Sequence, residues 1–208
     1  MTESTTKKTF VSNSMESSRM FRWNWMEALS KVHFSVPLFL YIPLIGVCLW
    51  NAPATWPSAG LYFGGVIAWT FIEYVLHRFV FHWMPPGKIG ARLHFIFHGV
   101  HHDYPNDRLR LVMPPSVSIP LAFLFFFLFR GLLGTPTVFP FFAGYVTGYL
   151  CYDMMHYAMH HLNWKNPFWQ RMKQYHMLHH YQFPEKGFGV SNPLWDYVFN
   201  TTFRLKKR

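Results

Sequence analysis

Eleven of the thirteen histidines fall in four short clusters, His77-Arg-Phe-Val-Phe-His82, His98-Gly-Val-His101-His102, His156-Tyr-Ala-Met-His160-His161 and His176-Met-Leu-His179-His180. Only His33 and His94 lie outside them. On a helix, residues at i, i+3 and i+4 share a face, so the spacing predicts that His98, His101 and His102 project together. The same holds for His176, His179 and His180, and for His156 with His160. Imidazole nitrogen binds zinc or iron at about 2 Å, and four or five such ligands close a site around one ion. One HxxHH alone is compatible with surface histidines or stray metal. Two copies, with an HxxxHH and an HxxxxH beside them, point to a built site with enough ligands for two ions.

His77 and His82 are five residues apart, about 140° round an α-helix. They can reach one point only if the helix ends near Phe81, and Pro85-Pro86 just beyond favours such an ending. His94, one turn before His98, is expected to sit behind a ligand or to pack. His161 points away from the His156–His160 stripe, and His33 has no partner nearby and is expected at the membrane interface. Two acids complete the candidate catalytic set. Glu73 lies one turn before His77, placed to accept that ring's second N–H; Asp153 shares a stripe with His156 and His160 and is expected to orient a ligand histidine in the same way. Pairing of Glu73 with Arg78, or simple capping by Asp153, is the plainer alternative.

The elements that must carry these residues are apolar. Aromatic residues make up 21% of the chain and charged ones 13%, about half the usual charged share of globular proteins. The sequence predicts an all-α integral membrane protein with four transmembrane helices, at about 33–50, 59–80, 114–133 and 138–155. A cytoplasmic helical cap, from segments 81–110 and 156–203, would hold a histidine-rich dimetal site. Residues 1–18 are polar, Ser/Thr-rich and expected to be disordered, with no apolar stretch of the kind a secretory signal needs; 19–208 form the membrane domain. Residues 19–31 mix Trp and Met with Arg and Lys, as headgroup-layer segments do. Ala143, Gly144 and Gly148 allow close helix approach in lipid, Phe125, Phe126 and Phe127 read as lipid-facing, and Asn166-Pro167 starts a helix towards His176. Cys48 and Cys151 read as reduced core residues, with no disulfide framework.

The net charge of +10 comes with no nucleic-acid motif, so anionic lipid is its expected partner and nucleic acid is not. Placing both termini and residues 81–110 on one side, with Arg78 at the end of the second span counted there too, puts all 19 Lys and Arg on that side except Arg130, the bias of a cytoplasmic face. All four clusters share that side. In a eukaryote the membrane would be the endoplasmic reticulum, in a bacterium the inner membrane. The basic tail of Arg204, Lys206, Lys207 and Arg208 is expected to be solvated.

The strings HRFVFH, LHFIFHGVHHDYPNDRLRLVMPP, GYLCYDMMHYAMHH and HMLHHYQFPEKGFGVSNPLWDYVFNT resemble the fatty acid 2-hydroxylase branch of the fatty acid hydroxylase superfamily, over about residues 70–203. That resemblance implies ten metal ligands, His77, His82, His98, His101, His102, His156, His160, His176, His179 and His180, five per ion on average. It implies hydroxylation at C2 of a long-chain fatty acid or of a sphingolipid acyl chain, using O2 and two electrons. Two metal ions are expected, iron for catalysis, with zinc in the isolated protein because such nitrogen sites favour Zn2+ over Fe2+. Relatives carry a cytochrome b5 domain; nothing in residues 1–32 resembles a haem-binding module, so a separate donor of the cytochrome b5 or ferredoxin type is expected. Tyr152, Tyr157, Arg108 and Arg110 are candidates for holding the lipid head. A sterol or carotenoid oxidase of the same superfamily is the alternative enzyme, and a non-catalytic metal-handling membrane protein the alternative of another class.

Overall fold

The computed structural model describes residues 10–203, which are helical throughout their regular structure. A short helix α1 (Asn24–Leu29) precedes three long apolar elements, α2 (Ser35–Trp50), α3 (Trp56–Leu76) and, after a polar excursion, α6 (Pro115–Leu133). The excursion holds α4 (Gly87–His94) and α5 (Val100–Asp103). Helix α7 (Val138–His161) follows, then α8 (Pro167–Tyr181) and α9 (Leu194–Val198). Local chemistry sets several boundaries. Thr55 caps α3 by accepting from the Ser58 N–H, with Pro57 in the first turn where its missing donor costs nothing. Asn166 caps α8, its side-chain oxygen accepting from Phe168 N at 2.9 Å, and Pro167 takes the first helical position.

Helix α7 is the axis. Most of its length is buried against α2, α3 and α6, and small residues set how closely α3 can come. A Cβ added to Gly144 would fall 1.8 Å from the Tyr62 carbonyl oxygen, and one on Gly65 would fall 1.9 Å from that of Phe141. The two backbones therefore touch, as small-residue interfaces permit in lipid. Trp69 fills the next layer, edge-on to Tyr145 and Tyr149 with centroids 5.3 and 5.2 Å apart. Tyr41 of α2 donates to Ser118 of α6 at 2.7 Å, so the one polar pair in this contact is satisfied.

Among the described residues, two stretches are long and apolar enough to cross a membrane, Trp56–Phe81 and Pro115–Leu133, while Ser35–Trp50 is apolar but shorter. Helix α7 has the length, yet its Tyr and Gly face protein on most sides. Large apolar side chains of the outer helices are exposed, among them Phe39, Ile42, Phe63, Phe123, Phe127 and Leu132. Exposed apolar surface of that extent marks an interaction surface, for lipid or for another protein. Of the phenylalanine run, Phe127 points outward, whereas Phe125 and Phe126 pack on Tyr145 and Phe142 with centroids 5.2 and 5.1 Å apart. Cys48 is buried, but Cys151 is exposed on the outer side of α7 and is no core residue.

The N-terminal segment also departs from expectation. Residues 1–9, like the basic tail 204–208, lie outside the described residues. Residues 10–18, expected to lack fixed partners, are hydrogen-bonded across the polar excursion. Ser12 N donates to the Asp103 carbonyl at 2.7 Å, and Ser17 Oγ donates to Asp107 at 2.7 Å. The Ser18 carbonyl accepts from Arg110. Composition favoured disorder; partners 90 or so residues away overrode it.

Gly144→Ala is expected to lower the thermal unfolding midpoint in detergent, since overpacking a tight contact costs about 1–3 kcal/mol. Gly46→Ala, where a Cβ meets nothing within 4 Å, should leave the midpoint unchanged or raise it.

Candidate metal centre

The wide turn at the end of α3 is the first device that builds the site. The helix does not simply stop near Phe81; it loosens into a π turn (His77–Phe81), in which His82 N donates to the His77 carbonyl at 3.1 Å. A bond spanning five residues brings i and i+5 onto one face, which an α-helix would hold far apart. The two rings consequently lie 5.0 Å apart. A second π turn (Phe95–Gly99) leads into α5 and His101.

The ten histidines form two groups of five, with ligand atoms in each group within 4.8 Å of one another. Group one is His77, His82, His98, His102 and His179; group two is His101, His156, His160, His176 and His180. The shared-face expectation is corrected here. Within each HxxHH box the i, i+4 pair stays together and the i+3 residue leaves for the other group. His98 and His102 are 4.7 Å apart in group one, while His101 lies 4.6 Å from His156 and 4.6 Å from His180. His176 and His180 are 4.5 Å apart in group two, while His179 lies 4.7 Å from His82 and 4.8 Å from His77. Positions i+3 and i+4 differ by about 100° round the axis, enough to serve two ions rather than one.

The donors fit metal. His77 Nδ1 is 2.6 Å from the Phe188 carbonyl and His179 Nδ1 is 2.6 Å from the Lys186 carbonyl. A carbonyl only accepts, so each Nδ1 carries the proton and each Nε2 bears a lone pair. Those bare nitrogens face His98 Nε2 at 3.1 Å and His82 Nε2 at 3.0 Å. In group two, His101 and His180 Nε2 are 3.1 Å apart, and His160 and His176 Nε2 are 2.9 Å apart. Two nitrogens each about 2.1 Å from one ion and about 90° apart would be separated by about 3.0 Å. Both nitrogens of His156 are buried without a protein partner, the mark of a ligand or of a missing bond. His161 and His94 belong to neither group, and His33 bonds Ser35 at 2.8 Å.

Burial, and then the neighbouring imidazoles, hold His98, His101, His102, His176 and His180 well below the usual histidine range. Neutral rings are what a divalent ion needs.

Both carboxylates sit elsewhere than expected. Glu73 makes no bond to His77; its oxygens accept from the N–H groups of Val190 and Ser191 at 2.7 and 2.8 Å and from Ser191 Oγ at 2.5 Å. Asp153 makes none to His156; it accepts from Tyr149 Oη at 2.8 Å and Met113 N at 3.3 Å. For Glu73 the donors come from a distant segment; for Asp153 they are the Tyr149 hydroxyl one turn back on the same helix and the Met113 amide 40 residues away. The residues missed in the sequence are Asp196, which holds the loop bearing the Phe188 carbonyl, and the N-terminal residues of the cavity roof. An acid inside the apolar string PLWDYVF was the available signal for Asp196.

A cavity of about 320 Å3 opens beside both groups, touching His98 of the first and His101 and His156 of the second. Its walls are mainly apolar, and Met20, Phe21, Trp25, Met26 and Leu29 roof it. The roof is pinned by Glu27, which pairs with Arg110 and Lys31 and accepts from Met20 N and Phe21 N. Burial alone would raise the Glu27 pKa; these hydrogen bonds and charges instead hold it at about 2. Tyr152, Asp153 and Arg110 line the cavity. Tyr157 stacks on Phe34 at 4.6 Å and Arg108 is exposed, so neither reaches it.

The fatty acid hydroxylase family profile matches residues 62–201. The chain is 37% identical over 192 residues to dihydroceramide fatty acyl 2-hydroxylase FAH1 of Arabidopsis thaliana, covering 89% of this chain and 80% of that protein. It is 40% identical over 185 residues to ceramide very long chain fatty acid hydroxylase SCS7 of Saccharomyces cerevisiae, covering 86% of this chain and 48% of the yeast protein. Against fatty acid 2-hydroxylase of Mus musculus the identity is 38%, over 88% of this chain and 56% of the mouse protein. The chain thus spans about half the length of the yeast and mouse relatives. The solved structure of full length scs7p, with only its hydroxylase domain visible, superposes with a TM-score of 0.78 at 39% identity, covering 88% of this chain and 73% of that one.

His101→Ala is expected to lower the metal content of the purified protein, measured by elemental analysis, whereas His161→Ala keeps it. Acid should act through the same rings. Unfolded histidines take up protons below about pH 6.5 and these do not, so the metal-free chain loses about 1.4 kcal/mol per histidine per pH unit as pH falls below that value. A thermal unfolding midpoint that is level above pH 6.5 and drops steeply below it is the expected result.

Proposed function

The chain belongs to the fatty acid hydroxylase family, and from that premise we propose that it is a membrane-bound hydroxylase acting at C2 of the acyl chain of a fatty acid or sphingolipid. The reaction replaces one C2–H with C2–OH, takes the oxygen atom from O2, and reduces the second atom to water with two electrons and two protons. The single observation that carries the reading is the apolar cavity ending on His98, His101 and His156, rings of both groups.

The relatives supply the substrate class by their names, a dihydroceramide fatty acyl 2-hydroxylase, a ceramide very long chain fatty acid hydroxylase and a fatty acid 2-hydroxylase. Bound by the ten histidines, two redox-active metal ions, iron in this reading, would supply activation of dioxygen for attack on an unreactive C–H bond. The remaining work falls to the chain's own groups. Apolar walls from Phe97, Val100 and Val112 and the roof residues hold the tail and keep water away. C2 is bonded to the acyl carbonyl carbon, so a polar head must lie near the rings as well. Tyr152, Asp153 and Arg110 are among the polar side chains lining the cavity, with Glu27 paired to Arg110.

The membrane reading follows the same logic. Spans at 33–50, 59–80, 114–133 and 138–155 would cross the lipid, and the cytoplasmic segments 81–110 and 156–203 would hold the ligand histidines other than His77, which lies at the end of the second span. Support comes from the apolar belt and from the bias of 19 Lys and Arg with Arg130 alone opposite. Electrons would reach this face from a separate donor.

Expression with an acyl lipid doubly deuterated at C2 tests the assignment by mass spectrometry. The expected product has lost one deuterium and gained one oxygen, and His156→Ala should abolish it. Hydroxylation at another carbon with both C2 deuteriums retained, or a sterol or carotenoid product, would replace the proposed substrate.

A further inference from the structure

One short loop, residues 186–191, presents two backbone carbonyls to one histidine group. Lys186 O accepts from His179 Nδ1 and Phe188 O accepts from His77 Nδ1, each at 2.6 Å. Both rings belong to group one. A partner behind a ligand ring fixes its tautomer and orientation and raises its basicity.

The loop itself is held by two buried acids from distant elements. Asp196 accepts from Phe188 N at 2.9 Å, Gly189 N at 2.8 Å and Thr201 Oγ1 at 2.7 Å. Glu73 accepts from the next two amides, Val190 N and Ser191 N, and from the Ser191 hydroxyl. Gly187 N donates to the Thr201 carbonyl at 2.9 Å. All five amides from 187 to 191 are therefore bonded. Gly187 adopts φ +70°, open to glycine at little cost, and a Cβ on Gly189 would lie 2.1 Å from the Asn192 carbonyl oxygen. Asp196 is 0% and Glu73 3% exposed, and no Lys or Arg pairs with either among the described residues. Burying carboxylates without a cation is costly unless hydrogen bonds compensate, and here the compensating donors are the loop.

Group two has no counterpart. Among the described residues, the buried Nδ1 atoms of His101, His156, His176 and His180 have no protein partner. No loop among the described residues plays that part for these rings, and two of them, His101 and His156, also line the cavity.

We propose that Glu73 and Asp196 are positioning residues for group one alone, so that the two ions are held unequally: firmly behind loop 186–191, and exchangeably beside the cavity. The inference rests on the reading of both groups as metal sites. The exchangeable position is then the one that gives the cavity two of its rings, His101 and His156, where group one gives His98 alone.

The test uses the full chain loaded with Zn2+ in detergent micelles and mixed with an excess of a colorimetric zinc chelator. The expected release has two phases of equal amplitude. His156→Ala should remove the fast phase and leave the slow one. Asp196→Asn should speed the slow phase about 10-fold or more, the usual effect of losing a group behind a ligand, with the fast phase unchanged. Thr201→Val, which removes one donor to Asp196, should speed the same phase by less and covers the case in which Asp196→Asn does not fold. Tyr41→Phe, which loses its bond to Ser118 far from the loop, should lower the unfolding midpoint without altering either phase. Release in one phase, equal acceleration of both phases by the loop variants, or the same acceleration by Tyr41→Phe would overturn the inference and leave the metal reading standing. A chain that takes up no Zn2+ would overturn both.

Discussion

Imidazole lone pairs that face one another at about 3 Å in a dry space repel unless something positive lies between them, and the rest of the structure accommodates that constraint. Ten neutral rings are packed together where burial forbids their protonation. Carbonyls behind His77 and His179 turn the bare nitrogens inward. Without cations such an arrangement would be a concentrated loss of hydrogen bonding; with them, the lone pairs become ligands. The outer helices can afford so polar a centre because it lies at one end of an otherwise apolar bundle.

The two HxxHH boxes interlock the groups. Each gives two rings to one group and its i+3 ring to the other, and His102 stacks on His180 across the divide at 4.2 Å. Neither group can form without the segment that also completes its neighbour. Segments 81–110 and 167–181 are thereby fixed to α7 and to the end of α3 by the site itself. Close contact of α3 with α7 at Gly65 and Gly144 sets the distance at which His77 and His156 face their partners.

The cavity has a divided origin. Its inner end is made of rings that belong to the centre, and its roof comes from α1 and the residues just before it. The Glu27–Arg110 pair joins the two, carried on segments 83 residues apart. The polar residues 12–18, bonded to Asp103, Asp107 and Arg110, lead into the apolar residues Met20 to Leu29 that form the cavity roof.

Much was readable from local pattern alone. Apolar runs marked α2, α3, α6 and α7 closely, Asn166-Pro167 marked the start of α8, and helical periodicity identified the i, i+4 histidine pairs. Each of these depends on residues a turn or two apart. The division of the HxxHH boxes was not readable, because periodicity says which side chains are neighbours on a helix but not what faces them. The π turn that unites His77 with His82 was hidden for a related reason: it replaces one backbone bond with another of similar strength, and tertiary packing selects between them. Glu73 and Asp153 could have reached a histidine one turn away. Glu73 is taken instead by an amide 117 residues away, and Asp153 by Tyr149 on its own helix and by an amide 40 residues away; the distant donors come within hydrogen-bond range only in the folded chain. The sequence by itself determined the histidine pattern and the helices that bear it; the tertiary structure decided which ring joins which group, since that choice is made by contacts no local spacing encodes.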